Sequence, residues 1–243
     1  MKAIAYDSDR RIALTAGVIF IIAGVAGLAG PVLLPGLKGA DYLPKVSGNS
    51  TAVTAAALFY LIAAFTSATI AVALYPVLKK VNAGLALGSV VLRTLEGTMY
   101  LAAVVSLLSL LTVSQQFATA GVADRVPLQA IADSLRSVRD HATLAGVFAY
   151  SLGAGSYYYL FFQARLVPRW LSGWGIIGIV LIGLACLLAL FSDSDITGYV
   201  LLILPILVQE YVLAVWLIVK GFSSSSLQAI TAAKESVPVS ETR

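Results

Sequence analysis

Residues 84–112 read GLALGSVVLRTLEGTMYLAAVVSLLSLLT, and the only charged residues in this run are Arg93 and Glu96, near its middle. Roughly 20 mainly apolar residues suffice for a helix to cross the hydrocarbon core of a bilayer, so the stretch predicts a transmembrane helix. A charge at that depth is costly and usually marks a pathway, a proton relay or a binding site. Glu210 interrupts a second apolar run, residues 196–221. These three side chains are therefore the strongest functional signal in the chain.

The composition indicates a membrane protein. Hydrophobic residues make up 59% of the 243 residues and charged residues 12%, with a mean hydropathy of +0.92. A soluble domain has about a quarter charged residues, so a water-soluble fold could not cover this much apolar surface. The net charge of +4 is spread over loops without a basic stripe, and we expect no nucleic-acid partner. The single cysteine, Cys186, excludes an intrachain disulfide and a multi-cysteine metal site.

Six segments are long and apolar enough to span a membrane, which predicts an all-α, six-helix bundle. They cover residues 12–35, 52–76, 84–112, 142–164, 173–192 and 196–221. The first segment follows Arg10 and Arg11 as a signal peptide would. It is too long for the apolar core of one, and we expect it to remain as the first span.

Basic residues predict the orientation, because short cytoplasmic loops hold an excess of them. One side would carry Lys2, Arg10, Arg11, Lys79, Lys80, Arg165, Arg169, Lys220, Lys234 and Arg243. The other would carry Lys38, Lys45, Arg125, Arg136 and Arg139. The richer side is expected to be the cytoplasm. Both termini would then face inward from a bacterial inner membrane.

The longest loop, residues 113–141, is predicted to lie outside and to contain a short amphipathic helix. Leu128, Ile131, Leu135 and Val138 recur there at helical spacing, and Pro127 suits a first helical turn. This helix would lie on the outer surface or run into the fourth span. We expect one domain, residues 1–222, followed by a disordered cytoplasmic tail, residues 223–243.

The charged residues of the third and sixth spans are predicted to meet at one level. Arg93 and Glu96 are three residues apart and share a helix face with Tyr100. Counted along each helix from its basic end, Arg93 and Glu210 both lie about 15–20 Å deep, near the bilayer middle. Gln209 adjoins Glu210 and is included as a candidate.

One arginine and two glutamates leave a formal excess of one negative charge. A buried carboxyl group without a partner takes up a proton, unless a cation completes the site. One alternative is therefore a site that binds or transports a proton, a cation or an amphiphilic molecule. The other is a structural clamp between the spans of an accessory or sensory subunit. An intramembrane enzyme is least favoured, because no nucleophile with an acid and a base is visible.

The only histidine, His141, follows Asp140 at the predicted outer mouth of the fourth span. Residue 165 lies 24 residues further on, so His141 is about 36 Å from the inner side and too far from the middle layer. A capping or hydrogen-bonding role is favoured over a ligand role. One histidine with scattered aspartates is no zinc signature, and it cannot ligate a haem twice, so we expect neither metal nor cofactor.

Small residues repeat in several predicted spans. The first span alone has Gly17, Gly24, Gly27 and Gly30. In lipid such residues allow close helix packing. These faces would suit packing inside the bundle, a homo-oligomer or a larger membrane complex; the bilayer itself is the one partner that the composition requires.

Four stretches give the chain a familiar pattern. They are ALYPVLKK at 73–80, LRTLE at 92–96, His141 leading into the fourth span and then LVPRWLSGWG at 166–175, and Glu210 leading to LAVWLIVKG at 213–221. Together they resemble the bacterial six-helix membrane family known as domain of unknown function 4386, over most of residues 10–222. The resemblance implies a six-helix bundle in which Arg93, Glu96, His141 and Glu210 belong to the family pattern. It implies no substrate or reaction.

Overall fold

The computed structural model describes residues 2–37, 39, 41–192 and 195–235, and within them the chain is helical without β-strands. Nearly every element is an α-helix of several turns, as the apolar composition requires when backbone groups must be satisfied inside each segment. The helices are α1 (Lys2–Leu33), α2 (Tyr42–Gly48), α3 (Ser50–Leu78), α4 (Ala83–Thr119), α5 (Val122–Ala164), α6 (Arg169–Ser192), α7 (Val200–Val219) and α8 (Ser224–Glu235), with a 3-10 turn at Ile196–Tyr199.

The six long helices form a closed ring. Each packs against the next in the order α1, α3, α4, α5, α6 and α7, and α7 returns to pack against α1. The helices alternate in direction, so α1 begins and α7 ends at the same end of the ring. Asp9 forms an ion pair with Lys80 there at 2.7 Å, and Arg10 donates to the Leu217 and Ile218 carbonyls of α7. We call this the basic end, and the opposite end the hairpin end.

Five helical segments are long and apolar enough to cross a membrane, which indicates a multi-pass membrane protein. They are Ser8–Leu33, Ser50–Leu78, Ala83–Thr119, Arg169–Ser192 and Ile196–Val219. The predicted fourth span, within α5, is not among them. Its central turns carry tyrosines, serines and glycines in place of leucine, and these side chains lower its hydropathy.

The predicted outer loop is mostly helix. Residues 113–119 continue α4 and residues 122–141 continue α5, so only Ala120 and Gly121 turn the chain. The expected short amphipathic helix is therefore part of α5. The 37 and 43 residues of the two helices give lengths of about 55 and 64 Å, well beyond a ~30 Å hydrocarbon core. The α4–α5 hairpin must project past the core at one end.

A second hydrophobic core stabilises the projecting end. Short helix α2, which the sequence placed in a loop, packs there with Leu107, Leu110 and Ala132 of the hairpin. Tyr42 donates a hydrogen bond to Asp133 Oδ1 at 2.9 Å. Burial and this hydrogen bond raise the pKa of the Tyr42 phenol, which therefore remains a donor. Of the predicted amphipathic face, Leu135 packs against this core, whereas Ile131 and Val138 remain about half exposed.

Residues Ser224–Glu235 form α8, where the sequence predicted a disordered tail; residues 236–243 lie outside the described residues. Ser223 donates its backbone N–H to the Leu166 carbonyl, and Ser226 Oγ donates to the Arg165 carbonyl. Leu227 also packs into the main core. These contacts hold the start of α8 against the turn between α5 and α6.

Glycine sets the closest approach between helices at several crossings. A methyl group at Gly97 of α4 would lie 2.7 Å from the Ala64 carbonyl oxygen of α3. One at Gly17 of α1 would lie 2.8 Å from the Ala214 carbonyl of α7. Because these neighbours are backbone atoms, only glycine fits without moving a helix. The small residues at these crossings therefore pack helices of the same chain together.

Candidate functional site

Arg93 and Glu96 form a buried ion pair on the inner face of α4. The Arg93 Nη1 atom lies 2.7 Å from Glu96 Oε2, and each side chain is only 3–4% exposed. Ser67 of α3 donates its hydroxyl to the same Glu96 oxygen at 2.6 Å. The spacing of three residues on one helix brings the pair together, and the serine links it to the neighbouring helix.

The stem of Arg93 fits against α5 because of Gly153. A methyl group at Gly153 would lie 3.1 Å from Arg93 Cγ and 3.2 Å from the Arg93 nitrogen. Ser89, one turn before Arg93, donates to the Gly153 carbonyl at 2.9 Å. This close crossing of α4 and α5 directs the guanidinium group towards the inside of the ring.

Tyrosines of α5 lie between Arg93 and Glu210. The Arg93 guanidinium carbon lies 4.8 Å from the centre of the Tyr150 ring, within range of a cation–π interaction. The Tyr150 hydroxyl donates to Glu210 Oε1 at 2.9 Å, and the Tyr157 hydroxyl donates to the same oxygen at 3.4 Å. Glu210 is half-buried in α7. The predicted pairing of α4 with α7 thus runs through an aromatic ring, and the ion pair to Arg93 is made by Glu96.

Part of the guanidinium group is unsatisfied. Among the described residues, neither Nε nor Nη1 of Arg93 has a hydrogen-bond partner. The short contact to Glu96 is therefore an electrostatic one whose N–H is not aligned with the oxygen. Buried polar atoms are nearly always hydrogen-bonded, so these two N–H groups are an exception that needs an explanation.

Gln209 and Tyr100, two other candidates, pack around this layer. Gln209 is fully buried, accepts from the Tyr158 hydroxyl at 2.6 Å and donates to the Leu171 carbonyl at 3.0 Å. It therefore links α7 to α5 and α6. Tyr100 packs its ring on Gly146, and its hydroxyl interacts with the Glu96 carboxyl group.

His141 lies apart from the other candidates. It is exposed, and its Nδ1 atom is 3.2 Å from Ser137 Oγ on the same helix. Nine residues separate it from Tyr150, which is about 14 Å along α5. No group of acidic, histidine or cysteine side chains in the described part of the chain is arranged to hold a metal ion.

The layer combines groups that are chemically able to take up a proton and to balance charge. One guanidinium and two carboxyl groups are held with phenol and hydroxyl donors in the interior of the ring. Arg93 interacts electrostatically with both glutamates, but it is in ion-pair contact with only Glu96. If both glutamates were ionised, one negative charge would remain without a cation, in a medium where that is costly.

Sequence reasoning did not assign Ser67, Tyr150 or Tyr157 to the layer. Tyr150 and Tyr157 are seven residues apart, which is two helical turns, so a shared face was readable from the spacing. The run Tyr157-Tyr158-Tyr159 obscures this spacing, because three consecutive residues cannot share a helix face. Ser67 is one of many small polar residues in apolar helices, and nothing in the sequence distinguishes it.

A family comparison adds the evolutionary context. The family model described as domain of unknown function (DUF4386) matches residues 14–221, so the chain belongs to this family and the resemblance in its sequence is confirmed. Comparisons with curated proteins and with solved structures gave no match.

Proposed function

We propose that this member of the DUF4386 family is an integral membrane protein that binds and releases a proton at the layer of Arg93, Glu96 and Glu210. The observation that carries the proposal is a buried guanidinium group that lies beside two carboxyl groups and makes an ion pair with only one of them. In this proposal the layer is the proton-binding site of a small proton-coupled carrier. The proton resides on Glu210.

The partners of the two glutamates support this assignment. Glu96 has the Arg93 cation at 2.7 Å and a serine donor, and this environment favours the carboxylate form. The hydrogen-bond donors to Glu210 are two neutral phenols, and both meet Oε1. A protonated carboxyl group still accepts hydrogen bonds at its carbonyl oxygen, so Oε1 suits that form as well. A proton on Glu210 makes the layer electrically neutral.

Carboxyl infrared spectroscopy tests the proton directly. In liposomes, we expect the wild type to show a protonated-carboxyl band that is absent from Glu210→Gln, because Arg93 and Glu96 balance each other in that variant. The band should change reversibly as the pH is varied across neutrality, because a carrier site must exchange its proton with water. Asp133→Asn, a change at the hairpin end, serves as a control and should leave the band unaltered.

Each alternative result has a defined meaning. A band that is kept in Glu210→Gln would place the proton on another carboxyl group and contradict the assignment. No protonated carboxyl in the wild type would mean that both glutamates are ionised, and a bound cation would then have to balance the layer. A band that never responds to pH would indicate a sealed acid, that is, a protonated carboxyl group that cannot exchange its proton with water.

A sealed acid is the signature of the second candidate function, an accessory or sensory subunit whose charges form a structural clamp. One observation favours it. The chain of contacts from Ser67 through Glu96, Arg93 and Tyr150 to Glu210 links α3, α4, α5 and α7. A continuous network of this kind would hold the ring together whether or not a proton moves.

We also propose six spans, with α5 as the fourth and both termini in the cytoplasm. Support comes from the ring, where α5 lies between two apolar helices, and from the meeting of the start of α1 with the end of α7 at one end. The chain must cross the membrane an even number of times for these two helix ends to meet on one side. The basic residues at this end fit the cytoplasmic side of a bacterial inner membrane.

Reporter fusions test this topology. Fusions at Lys80, at Arg169 and after the last residue should report a cytoplasmic position, whereas a fusion at Gln116 should report the opposite side. Gln116 lies in α4 near the hairpin turn, so its position depends on α4 crossing completely. A cytoplasmic signal at Gln116 would overturn the orientation or the span count.

A further inference from the structure

An open groove at the basic end is lined by the turn between α5 and α6 and by the end of α7. It has a volume of about 580 Å³. Three cations line it: Arg165, Arg169 and Lys220. Apolar and aromatic residues complete its walls, among them Leu166, Trp216 and Phe222. The groove does not include the Arg93 layer, and the proposed function does not use it.

The charge of the groove is one-sided. Among the described residues that line it, none is acidic. Asp9, a carboxylate at the same end, shares a second small recess with Lys220 but is paired with Lys80 at 2.7 Å. Helix α6 begins at Arg169, and the partial positive charge of its N-terminus adds to that of the side chains. The groove therefore attracts an anion.

The position of the groove indicates what kind of molecule bears the anionic group. It lies where α5 and α7 end and α6 begins, which is the level of the lipid headgroups if these helices span the bilayer. Trp170 and Trp216 pack edge to face there with ring centres 6.4 Å apart, as aromatic residues do in the interfacial belt. A free phosphate ion would use the cations but leave the apolar walls without a partner. A phospholipid uses both.

We infer that the groove binds the headgroup of an anionic phospholipid, with the phosphate held by Arg165, Arg169 and Lys220 and the glycerol backbone against Trp216 and Phe222. Basic pockets between helices at the cytoplasmic side of membrane proteins bind anionic headgroups by the same physics. The lipid would also bridge α5, α6 and α7 at the end where α8 attaches.

The chain offers an internal probe for this site, because its three tryptophans, Trp170, Trp174 and Trp216, all lie in α6 and α7. Trp216 lines the groove, and Trp170 packs against Trp216. The full-length protein is reconstituted in phosphatidylcholine vesicles that contain an increasing fraction of brominated phosphatidylglycerol. Tryptophan quenching then reports lipid binding. Brominated phosphatidylcholine in the same amounts measures the contribution of random lipid contacts.

We expect brominated phosphatidylglycerol to quench at lower fractions than brominated phosphatidylcholine. Arg169→Gln and Lys220→Gln should each lower the apparent affinity about 5-fold, the factor expected for one basic residue near an anionic surface. Lys79→Gln is the matched control. It removes a cation from the same end, but Lys79 packs over Tyr75 outside the groove and should have little effect. Higher salt should weaken the selectivity by screening the charges.

Three results would overturn the inference. Equal quenching by the two brominated lipids in the wild type would exclude selectivity for an anionic headgroup. An equal loss in Lys79→Gln and Arg169→Gln would show that only the general charge of this end matters. Inorganic phosphate separates the two sources of the anion: full displacement of the lipid effect by low phosphate concentrations would make the site one for a free ion, against the lipid assignment.

Discussion

Replacing Arg93 by alanine should destabilise the protein by about 3–5 kcal/mol, the usual cost of removing one partner from a buried ion pair. Arg93 is the only cation in the layer, and it is 3% exposed. Without it, Glu96 faces Glu210 across a dry interior, and Tyr150 loses the cation stacked on its ring. Protonation of the second glutamate would relieve part of this cost, but the cavity left by the side chain would remain.

Glu96→Gln should cost much less than Arg93→Ala, because the amide still accepts from Ser67 and Arg93 keeps Glu210 within electrostatic reach. Unfolding of the purified variants in mixed detergent micelles gives the difference in free energy. Arg125→Ala, an exposed arginine near the hairpin turn, is the control for loss of a positive charge. Wild-type stability in Arg93→Ala would show that the layer is not buried in the membrane domain.

The second large effect is expected for Gly97→Ala. The new methyl group would lie 2.7 Å from the Ala64 carbonyl oxygen, and a backbone atom cannot move aside as a side chain does. Helices α3 and α4 must separate, and overpacking of this kind costs about 1–3 kcal/mol. The separation would also lengthen the hydrogen bond from Ser67 of α3 to Glu96 of α4.

Gly88→Ala in the same helix is the matched control. Nothing lies within 4 Å of the position that its methyl group would take. Alanine is the better helix former by up to about 1 kcal/mol, so this variant should be as stable as the wild type or slightly more stable. The same unfolding assay compares the two. Equal stability of Gly97→Ala and Gly88→Ala would mean that α3 and α4 do not cross closely at Gly97.

Hydrophobic patterning predicted the long helices because the bilayer imposes a strong and simple rule on them. The same patterning did not predict where the helices end. The sequence ended the third span near Thr112, where polar residues become frequent, but α4 continues to Thr119. Polar character marks where a helix leaves the lipid, and it says little about whether the helix stops. The short helix α2 and helix α8 were missed for the same reason, since each is held by tertiary contacts.

The layer of charges was predictable as far as each helix determines it alone. The spacing of Arg93 and Glu96 places them together on any α-helix, and the structure has them as an ion pair. The relation to Glu210 depends on which helix lies between α4 and α7, and a single sequence does not contain that information. Because α5 occupies this position, Tyr150 and Tyr157 contact Glu210.

The closed ring has a consequence for how the protein is made. Chains emerge from the ribosome with the N-terminus first, so α1 enters the membrane well before α7 exists. Until then, Gly17 and Gly24 of α1 lack the partners they have in the finished ring, where they lie against Ala214 and Tyr211. Before α7 is made, the ring is open, and Tyr150 and Tyr157 lack Glu210, the residue that accepts their hydrogen bonds. Assembly is therefore completed only by the last span, α7, which closes the ring by packing against α1 and α6 and adds Glu210 in the same step.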